Sequence, residues 1–314
     1  MILNRILKIC SAFLLIGCEI AYNIDEQRIN NIESELGGIN TENPFQGEFT
    51  FFKNIPYGLN ERNRLDILLP NQNKLDGVVI FFHGGAFLFG TKEDLYEGEQ
   101  QKIISSILNE NIAVVNAEYR FISDENSNGV ISSLEDGAAV IDLIKQKSPF
   151  LDIPPGKIIL AGISAGAGIA QWNGFREESN SQVKGILATI AQSTYDLYQW
   201  EELFPDFSLD SLRRTDNELD DLYNKFYGRE STFENDEILD YRNFMDANDP
   251  ALYIYNPVYE DKIITSENTI DFNILFHSYK HANFLRKKAI SVGLEYSGSY
   301  QESPIDFIKR KIKE

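Results

Sequence analysis

From Phe49 onward the chain alternates short apolar runs with longer segments in which apolar residues recur every three or four positions. Continuous apolar runs are typical of strands buried on both faces, and the longer segments are typical of amphipathic helices. This alternation predicts the α/β class, with a mostly parallel sheet flanked by helices. The predicted strands are Arg64–Pro70, Gly77–Phe82, Ile112–Asn116, Lys157–Ala161, Val183–Ile190 and Ala251–Tyr255.

Helical periodicity and one long insertion complete the pattern. The predicted helices are Leu95–Leu108, Val130–Ile144, Gly166–Phe175, Asp216–Phe226, Ala282–Val292 and Ile305–Ile312. Residues 196–250 are acidic and rich in aromatic side chains, and they interrupt the rhythm of the strands. Because long insertions in compact domains are usually functional, this segment predicts a helical cap that shapes a substrate entrance. The aromatic residues that either pack within this cap or line a pocket are Trp200, Phe204, Phe207, Tyr223 and Phe226.

The first seventeen residues have the pattern of an export signal. Arg5 and Lys8 precede an apolar run, Ile9–Ile16, that is too short to cross a bilayer. The run ends in Leu-Ile-Gly-Cys18, which resembles the lipobox of bacterial lipoproteins. The resemblance implies a signal peptide at residues 1–17, a lipid on Cys18, and attachment to a bacterial membrane on its periplasmic or outer side. An ordinary signal peptide and an uncleaved anchor are the alternatives.

Residues 18–47 are polar and show little periodicity, which is typical of a flexible tether between a lipid and a domain. A short amphipathic helix over Asp25–Leu36 is the alternative for part of this segment. The folded domain is predicted to occupy residues 48–314, with the cap inserted in it.

Composition narrows the classes of function. The 314 residues are 43% hydrophobic and 25% charged, which suits a globular core and excludes a disordered or fibrous chain. The chain has 29 Lys and Arg against 48 Asp and Glu, and its net charge of -19 repels a phosphate backbone, so no nucleic-acid partner is expected. The two cysteines, Cys10 and Cys18, precede the domain, so no disulfide framework is expected there.

Two motifs that follow buried strands carry the candidate chemistry. Gly162-Ile-Ser-Ala-Gly166 fits the pattern G-x-S-x-G between a strand and a helix, which exposes Ser164 on a tight turn. About eighty residues earlier, the strand that ends at Phe82 leads into His83-Gly-Gly-Ala-Phe87. Consecutive glycines leave backbone N–H groups free to face a developing oxyanion, together with the N–H of Ala165. The pair of motifs is a much stronger signal than either alone.

At these motifs the chain resembles the α/β-hydrolase family, in particular the carboxylesterases with a His-Gly-Gly loop, which include hormone-sensitive-lipase-like enzymes. The likeness covers about residues 55–190 and includes Ala117-Glu-Tyr-Arg120. It implies an α/β-hydrolase fold, Ser164 as the nucleophile, and an oxyanion hole formed by Gly84, Gly85 and Ala165, with His83 ordering its loop. It also implies a small-molecule ester or an acylated carbohydrate as the substrate, and no cofactor.

The base and the orienting acid are less clear from the sequence. The family order is serine, acid, histidine, and it makes Glu260 or Asp261, after the strand Ala251–Tyr255, the best candidates for the acid. If Glu295–Tyr300 is the last strand, no histidine follows it and the base is missing from its usual place. If Phe272–Phe276 is instead the last essential strand, His277 follows it in the expected order and serves as the base. Asp271 is then available as the orienting acid, besides Glu260 and Asp261. With His83 in the oxyanion loop, His281 is the other candidate for the base.

Two hypotheses follow. The first is an esterase that uses Ser164, with His277 as the base. The second is a binding lipoprotein that retained the hydrolase scaffold and lost its catalytic histidine. His277 and His281 are four residues apart but lack the glutamate of zinc motifs, so no metal site is expected.

Overall fold

The structure is a computed structural model that describes residues 26, 29–47, 49–71, 74–228, 237–258, 264–265 and 270–314. Within these residues, nine strands form one sheet in the order β1-β2-β3-β5-β4-β6-β7-β8-β9. The strands are β1 Ile39–Thr41, β2 Phe49–Pro56, β3 Arg64–Pro70, β4 Gly77–Phe82, β5 Ile112–Ala117, β6 Ile158–Ile163, β7 Val183–Thr189, β8 Ala251–Tyr255 and β9 Tyr296–Gly298. The first three strands run antiparallel to their neighbours, and all pairs from β5 to β9 are parallel.

Helices cover both faces of the sheet, and the predicted α/β class is confirmed. The helices are α1 at 29–36, α2 Gly98–Asn109, α3 Val130–Lys147, α4 Ala165–Gly174, α5 Glu177–Asn180, α6 Leu209–Thr215, α7 Asn217–Tyr227, α8 Phe272–His277, α9 Tyr279–Val292 and α10 Pro304–Lys313. All six residues of β4 are buried, as expected for a central strand with helices on both sides. Apolar side chains on the two faces form two separate core clusters.

The helix predicted over Leu95–Leu108 starts later than expected. A turn of 3-10 helix spans Lys92–Tyr96, and α2 begins only at Gly98, which has a positive φ of 59°. Because this backbone conformation is one that glycine adopts without strain, Gly98 separates the two helical segments.

The segment expected to be a flexible tether is folded in its second half. Residues 29–36 are helical, which agrees with the alternative of an amphipathic helix, and β1 pairs with β2 at the edge of the sheet. Ile32, Leu36 and Phe45 are buried against the domain. The packed part of the chain therefore begins before residue 48. These three apolar residues were not recognised as buried because the rest of the segment is polar.

The 196–250 insertion is largely helical where it is described. A 3-10 turn at Leu197–Glu202 leads to α6 and α7, and a second 3-10 turn spans Tyr241–Phe244. The side chain of Asp216 accepts hydrogen bonds from two backbone N–H groups of α7, and Gly228 ends that helix in the left-handed conformation. This local capping sets the limits of α7 close to the predicted Asp216–Phe226.

The alternative in which Phe272–Phe276 is the last essential strand is wrong. These residues lie in α8, because the Asp271 side chain accepts hydrogen bonds from the N–H groups of Asn273 and Ile274 and so caps a helix. The last strand is β9, within the predicted Glu295–Tyr300. None of the described helices is long and apolar enough to cross a membrane.

Candidate active site

Ser164 lies on a sharp turn between β6 and α4. Its φ of 52° and ψ of -114° are uncommon for a residue with a side chain, and its N–H donates to Thr189 O at 2.9 Å. A Cβ atom on Gly162 would lie 2.1 Å from Gly166 O, and one on Gly166 would lie 2.1 Å from Phe82 O. The two glycines of the motif are thus required by close backbone packing, and that packing holds the strained turn at Ser164.

His277 faces Ser164. The two side chains are joined by a hydrogen bond of 2.9 Å between Ser164 Oγ and His277 Nε2. Burial holds the pKa of His277 below its ordinary value of 6.5, which favours the neutral ring that can accept a proton. His277 comes from the end of α8, between β8 and β9, and so precedes the last strand instead of following it. As expected for a last strand within Glu295–Tyr300, no histidine follows β9, and the histidine that contacts Ser164 lies before that strand.

The two residues predicted to orient the base, Glu260 and Asp261, lie outside the described residues. Asp271 is described, and its side chain caps α8. Among the described residues, no carboxylate is hydrogen-bonded to the His277 ring, and the lowered pKa of that ring has burial as its cause.

The loop after β4 packs directly against the turn of Ser164. A Cβ atom on Gly84 would lie 3.2 Å from Ile163 O, and one on Gly85 would lie 1.9 Å from Phe89 O. Gly85 has a φ of 121°, which side chains rarely allow. No described acceptor takes a hydrogen bond from the N–H groups of Gly84, Gly85 or Ala165. The loop can thus present free donors beside Ser164, as the resemblance implies.

His83 lies under the loop after β4 and contacts its backbone. Its ring is buried, stacks on Tyr119 with 4.4 Å between ring centroids, and places Nδ1 2.6 Å from Gly84 O. On the other side of the ring, Nε2 lies 3.3 Å from a carboxylate oxygen of Glu118, which also pairs with Arg62. Burial raises the pKa of Glu118, but His83, the N–H of Lys92 and Arg62 more than offset it, so that the pKa lies below its ordinary value. His83 is consequently placed to order the loop and is engaged away from the serine.

His281 is fully buried and separate from the Ser164 hydroxyl. Its Nε2 lies 2.7 Å from Leu275 O, and its Nδ1 lies 3.2 Å from the N–H of Ser193. Burial lowers the pKa of His281 to about 4, so the ring is neutral near pH 7. The described residues contain no group of three or more His, Cys, Asp or Glu side chains that could hold a metal ion.

Ser164 lines an apolar cavity of about 150 Å³ beneath the insertion. Its walls combine the loop after β4, the insertion and α8. The aromatic side chains that line it are Phe87, Tyr195, Trp200, Phe207, Tyr223, Phe226, Phe272 and Phe276. Of the five aromatic residues singled out in the insertion, Phe204 does not line the cavity; it is buried, with its ring centroid 6.1 Å from that of His281.

Two further polar residues lie at this edge of the sheet and were not predicted from the sequence. Gln192 and Asn256 follow β7 and β8, are buried, and contact the backbone of α8. A polar residue just beyond the carboxyl end of a buried parallel strand is the signal that could have identified both of them.

The sequence of this chain matches one family model and resembles two known proteins in part. The BD-FAE family model matches residues 65–273, which is more than half of the chain. Kynurenine formamidase from Salmo salar is 28% identical over 151 residues, which are 46% of this chain and 46% of that protein. Isoprenylcysteine alpha-carbonyl methylesterase from Arabidopsis thaliana is 29% identical over 143 residues, 45% of this chain and 31% of that protein. The matched regions thus span less than half of either relative.

Solved structures of esterases share the fold at low identity. A carbohydrate esterase from gut microbiota superposes with a TM-score of 0.60 and 14% identity, covering 88% of this chain and 99% of that one. Esterase B from Lactobacillus rhamnosis has a TM-score of 0.59 and 14% identity, covering 92% of this chain and 83% of that one. The predicted α/β-hydrolase fold is confirmed by these likenesses.

Proposed function

We propose, from the premise that this chain belongs to the BD-FAE family, that it is a serine hydrolase of carboxylic esters. The observation that carries the proposal is the 2.9 Å hydrogen bond between Ser164 Oγ and His277 Nε2 at the floor of an apolar cavity. A hydroxyl joined to a neutral imidazole is the arrangement that activates serine as a nucleophile. The same contact argues against the alternative of a binding lipoprotein without a base.

The reaction uses two acyl transfers. His277 Nε2 takes the proton of Ser164 as Oγ attacks the ester carbonyl, and the resulting oxyanion accepts hydrogen bonds from the N–H groups of Gly84, Gly85 and Ala165. Collapse of the tetrahedral intermediate breaks the bond to the alcohol, which leaves with the proton from His277. Water then attacks the acyl-enzyme and gives a proton to His277. Collapse of the second tetrahedral intermediate releases the acid, and His277 returns the proton to Ser164 Oγ.

The lining of the cavity favours a substrate with an apolar acyl group. A pocket lined by aromatic and aliphatic side chains stabilises apolar groups by removing them from water. The alcohol part of the ester then lies toward the surface of the protein. In an acylated carbohydrate, this part is the sugar. The His-Gly-Gly loop that begins at His83 also favours the branch of carboxylesterases that includes hormone-sensitive-lipase-like enzymes.

Ester hydrolysis by purified protein tests this function. With p-nitrophenyl acetate and butyrate, we expect Ser164→Ala and His277→Ala each to lower kcat about a thousandfold or more, since members of a catalytic unit act together. Circular dichroism checks that both variants are folded. Equal rates for the native chain and Ser164→Ala would contradict the proposal. A ligand that raises the melting temperature without being turned over would then favour the binding lipoprotein.

We also propose that the chain is exported and held on a bacterial membrane by a lipid on Cys18. The sequence around Cys18 is the support for this location, and no feature of the domain bears on it. Expression of the full chain in bacteria fed a labelled fatty acid should label the native chain and not Cys18→Ala. Cys10→Ala is the matched control and should keep the label. Labelling that survives Cys18→Ala would contradict the proposal.

A further inference from the structure

The backbone that carries His277 needs support from outside its own helix. Helix α8 has six residues and leaves the helical path at Ser278, where ψ is 146°. A further helical turn would satisfy the carbonyls of Leu275, Phe276 and His277, but the chain does not continue that turn. A buried carbonyl without a donor destabilises the fold, because it loses its hydrogen bonds to water without replacement, so other groups must bind these three.

Three buried side chains from other parts of the fold supply the missing donors, one to each consecutive carbonyl. Gln192 follows β7, Asn256 follows β8, and His281 lies on α9. The three contacts are His281 Nε2 to Leu275 O (2.7 Å), Gln192 Nε2 to Phe276 O (2.9 Å) and Asn256 Nδ2 to His277 O (3.1 Å). We call Gln192, Asn256 and His281 the carbonyl clamp.

The orientation of the Asn256 amide is fixed by Ala191. Its Oδ1 accepts the N–H of Ala191 at 3.1 Å, and its Nδ2 donates to Ala191 O at 2.8 Å. The same Nδ2 also lies 3.1 Å from His277 O and 3.2 Å from Ser278 O. An amide fits this environment, whereas a carboxylate would direct an oxygen at three carbonyl oxygens. The position directly after β8 therefore requires a donor.

Gln192 connects the helix of the serine to the helix of the base. Its backbone carbonyl accepts hydrogen bonds from Tyr241 Oη at 2.6 Å and from Gln171 Nε2 at 3.3 Å. Gln171 lies on α4, the helix that begins directly after Ser164. Through Gln192 the carbonyl of Phe276 is thus tied to the element that positions Ser164.

His281 is held in the tautomer that can donate to α8. Because Nδ1 accepts the N–H of Ser193, the ring proton lies on Nε2, where it meets Leu275 O. Trp200 packs edge-on against the ring at 5.1 Å and helps to exclude water. The clamp thus consists of three neutral donors within the protein interior.

We propose that Gln192, Asn256 and His281 are positioning residues that hold the backbone of α8 so that His277 Nε2 stays within hydrogen-bond reach of Ser164. This inference rests on the proposed function, in which His277 is the base. It gives the physical reason why a histidine that precedes the last strand can serve the serine: the clamp fixes the end of α8 to the ends of β7 and β8.

A double-mutant cycle separates positioning from general stability. We expect Asn256→Ala and Gln192→Met each to lower kcat for p-nitrophenyl butyrate about ten- to a hundredfold, since small displacements of a catalytic group cost this much. Gln192 also lines the cavity, so the comparison of KM applies to Asn256→Ala, in which KM should stay nearly unchanged. In a chain that already carries His277→Ala, the same substitutions should change kcat less than about twofold, because no base is left to misplace. Gln192→Met keeps the side-chain length, so it serves if Asn256→Ala does not fold.

Asn173→Ala is the matched control for Asn256→Ala. Asn173 is also buried and donates through Nδ2 to the carbonyls of Leu134 and Ile169, both at 3.0 Å, but it does not contact α8. It should lower stability and leave kcat near that of the native chain. Losses in kcat that are equal with and without His277, or no loss in either clamp variant, would overturn the inference.

A crystal structure of Asn256→Ala provides a readout that does not depend on activity. We expect the distance between Ser164 Oγ and His277 Nε2 to exceed 3.5 Å, and an unchanged 2.9 Å would overturn the clamp. If Ser164→Ala keeps the native rate, the proposed function fails, and this distance still decides whether the clamp positions His277.

Discussion

At the scale of single residues, the proposed mechanism depends on the protonation state of His277, which acts in it as the base for Ser164. Burial lowers the pKa of the ring, and the described residues place no carboxylate in hydrogen-bond contact with it to raise the pKa again. Only the neutral ring accepts a proton, so the rate should fall as the pH drops through the pKa of His277 in the folded enzyme.

The resulting prediction concerns the acidic limb of the pH profile. We expect kcat/KM for a neutral ester to fall with a midpoint below pH 6.5, measured over a range in which circular dichroism shows a folded chain. A midpoint above 6.5 would contradict burial as the dominant influence and would indicate a carboxylate beside the ring, as expected if Glu260 or Asp261 approaches it.

A second residue-scale prediction concerns Gly85. Alanine at this position would place Cβ 1.9 Å from Phe89 O, and the backbone φ of 121° is one that side chains rarely allow. The loop must therefore move, and its N–H groups no longer point at the oxyanion. We expect Gly85→Ala to lower kcat about a hundredfold or more, the effect of removing one oxyanion donor. Steady-state kinetics with p-nitrophenyl acetate measures it.

Gly156→Ala is the control for that substitution. Gly156 has a φ of 70°, but a Cβ there meets nothing within 4 Å. It should cost about 1 kcal/mol of stability from backbone strain and leave kcat unchanged. If Gly85→Ala behaves in the same way as Gly156→Ala, the loop after β4 does not form an oxyanion hole.

At the scale of elements, the sequence predicts best where the signal is local. β4 and β8 match their predicted limits because continuous apolar runs between turn residues leave little choice of structure. The run Phe272–Phe276 is equally apolar but short, and periodicity alone does not tell a strand from a helix at that length. Capping by the Asp271 side chain favours the helix. At the other end of α8, the carbonyl clamp joins residues that are too distant in sequence for a local pattern to predict their contact.

The residues of the cap give a prediction for the acyl specificity of the proposed esterase. Leu222 of α7 lines the cavity beneath the insertion. We expect Leu222→Trp to fill part of that space and to lower kcat/KM for p-nitrophenyl hexanoate relative to acetate at least tenfold, since each excluded methylene is worth about 0.8 kcal/mol. Leu59→Trp, at a fully exposed position, is the control and should leave the ratio unchanged. An unchanged ratio in Leu222→Trp would mean that the acyl group binds elsewhere.

At the scale of the whole molecule, the parallel sheet explains why the candidate site residues lie together at one edge. β4, β6, β7 and β8 run in parallel, so their carboxyl ends bring together Gly84, Ser164, Gln192 and Asn256. The sequence predicts the strands and the two motifs that follow them. The order of the strands and the approach of His277 depend on long-range packing, which no local pattern contains.

The limits of the folded unit give the last prediction. Ile32, Leu36 and Phe45 are buried although they precede the predicted start of the domain at residue 48. Each buried apolar side chain contributes about 1.5–3 kcal/mol, so a chain that begins at residue 48 should lose about 5 kcal/mol in its free energy of unfolding relative to one that begins at residue 26. Urea denaturation measures this difference.

Point substitutions test the same boundary in the longer chain. Ile32→Ala should cost about 2–4 kcal/mol, because it leaves a cavity under α1. Ile39→Ala, at a side chain that is 69% exposed on β1, should cost less than about 0.5 kcal/mol. Equal stabilities for these two variants, together with equal stabilities for the two chain lengths, would show that the segment is a tether after all. With the expected differences, α1 and β1 are part of the folded domain.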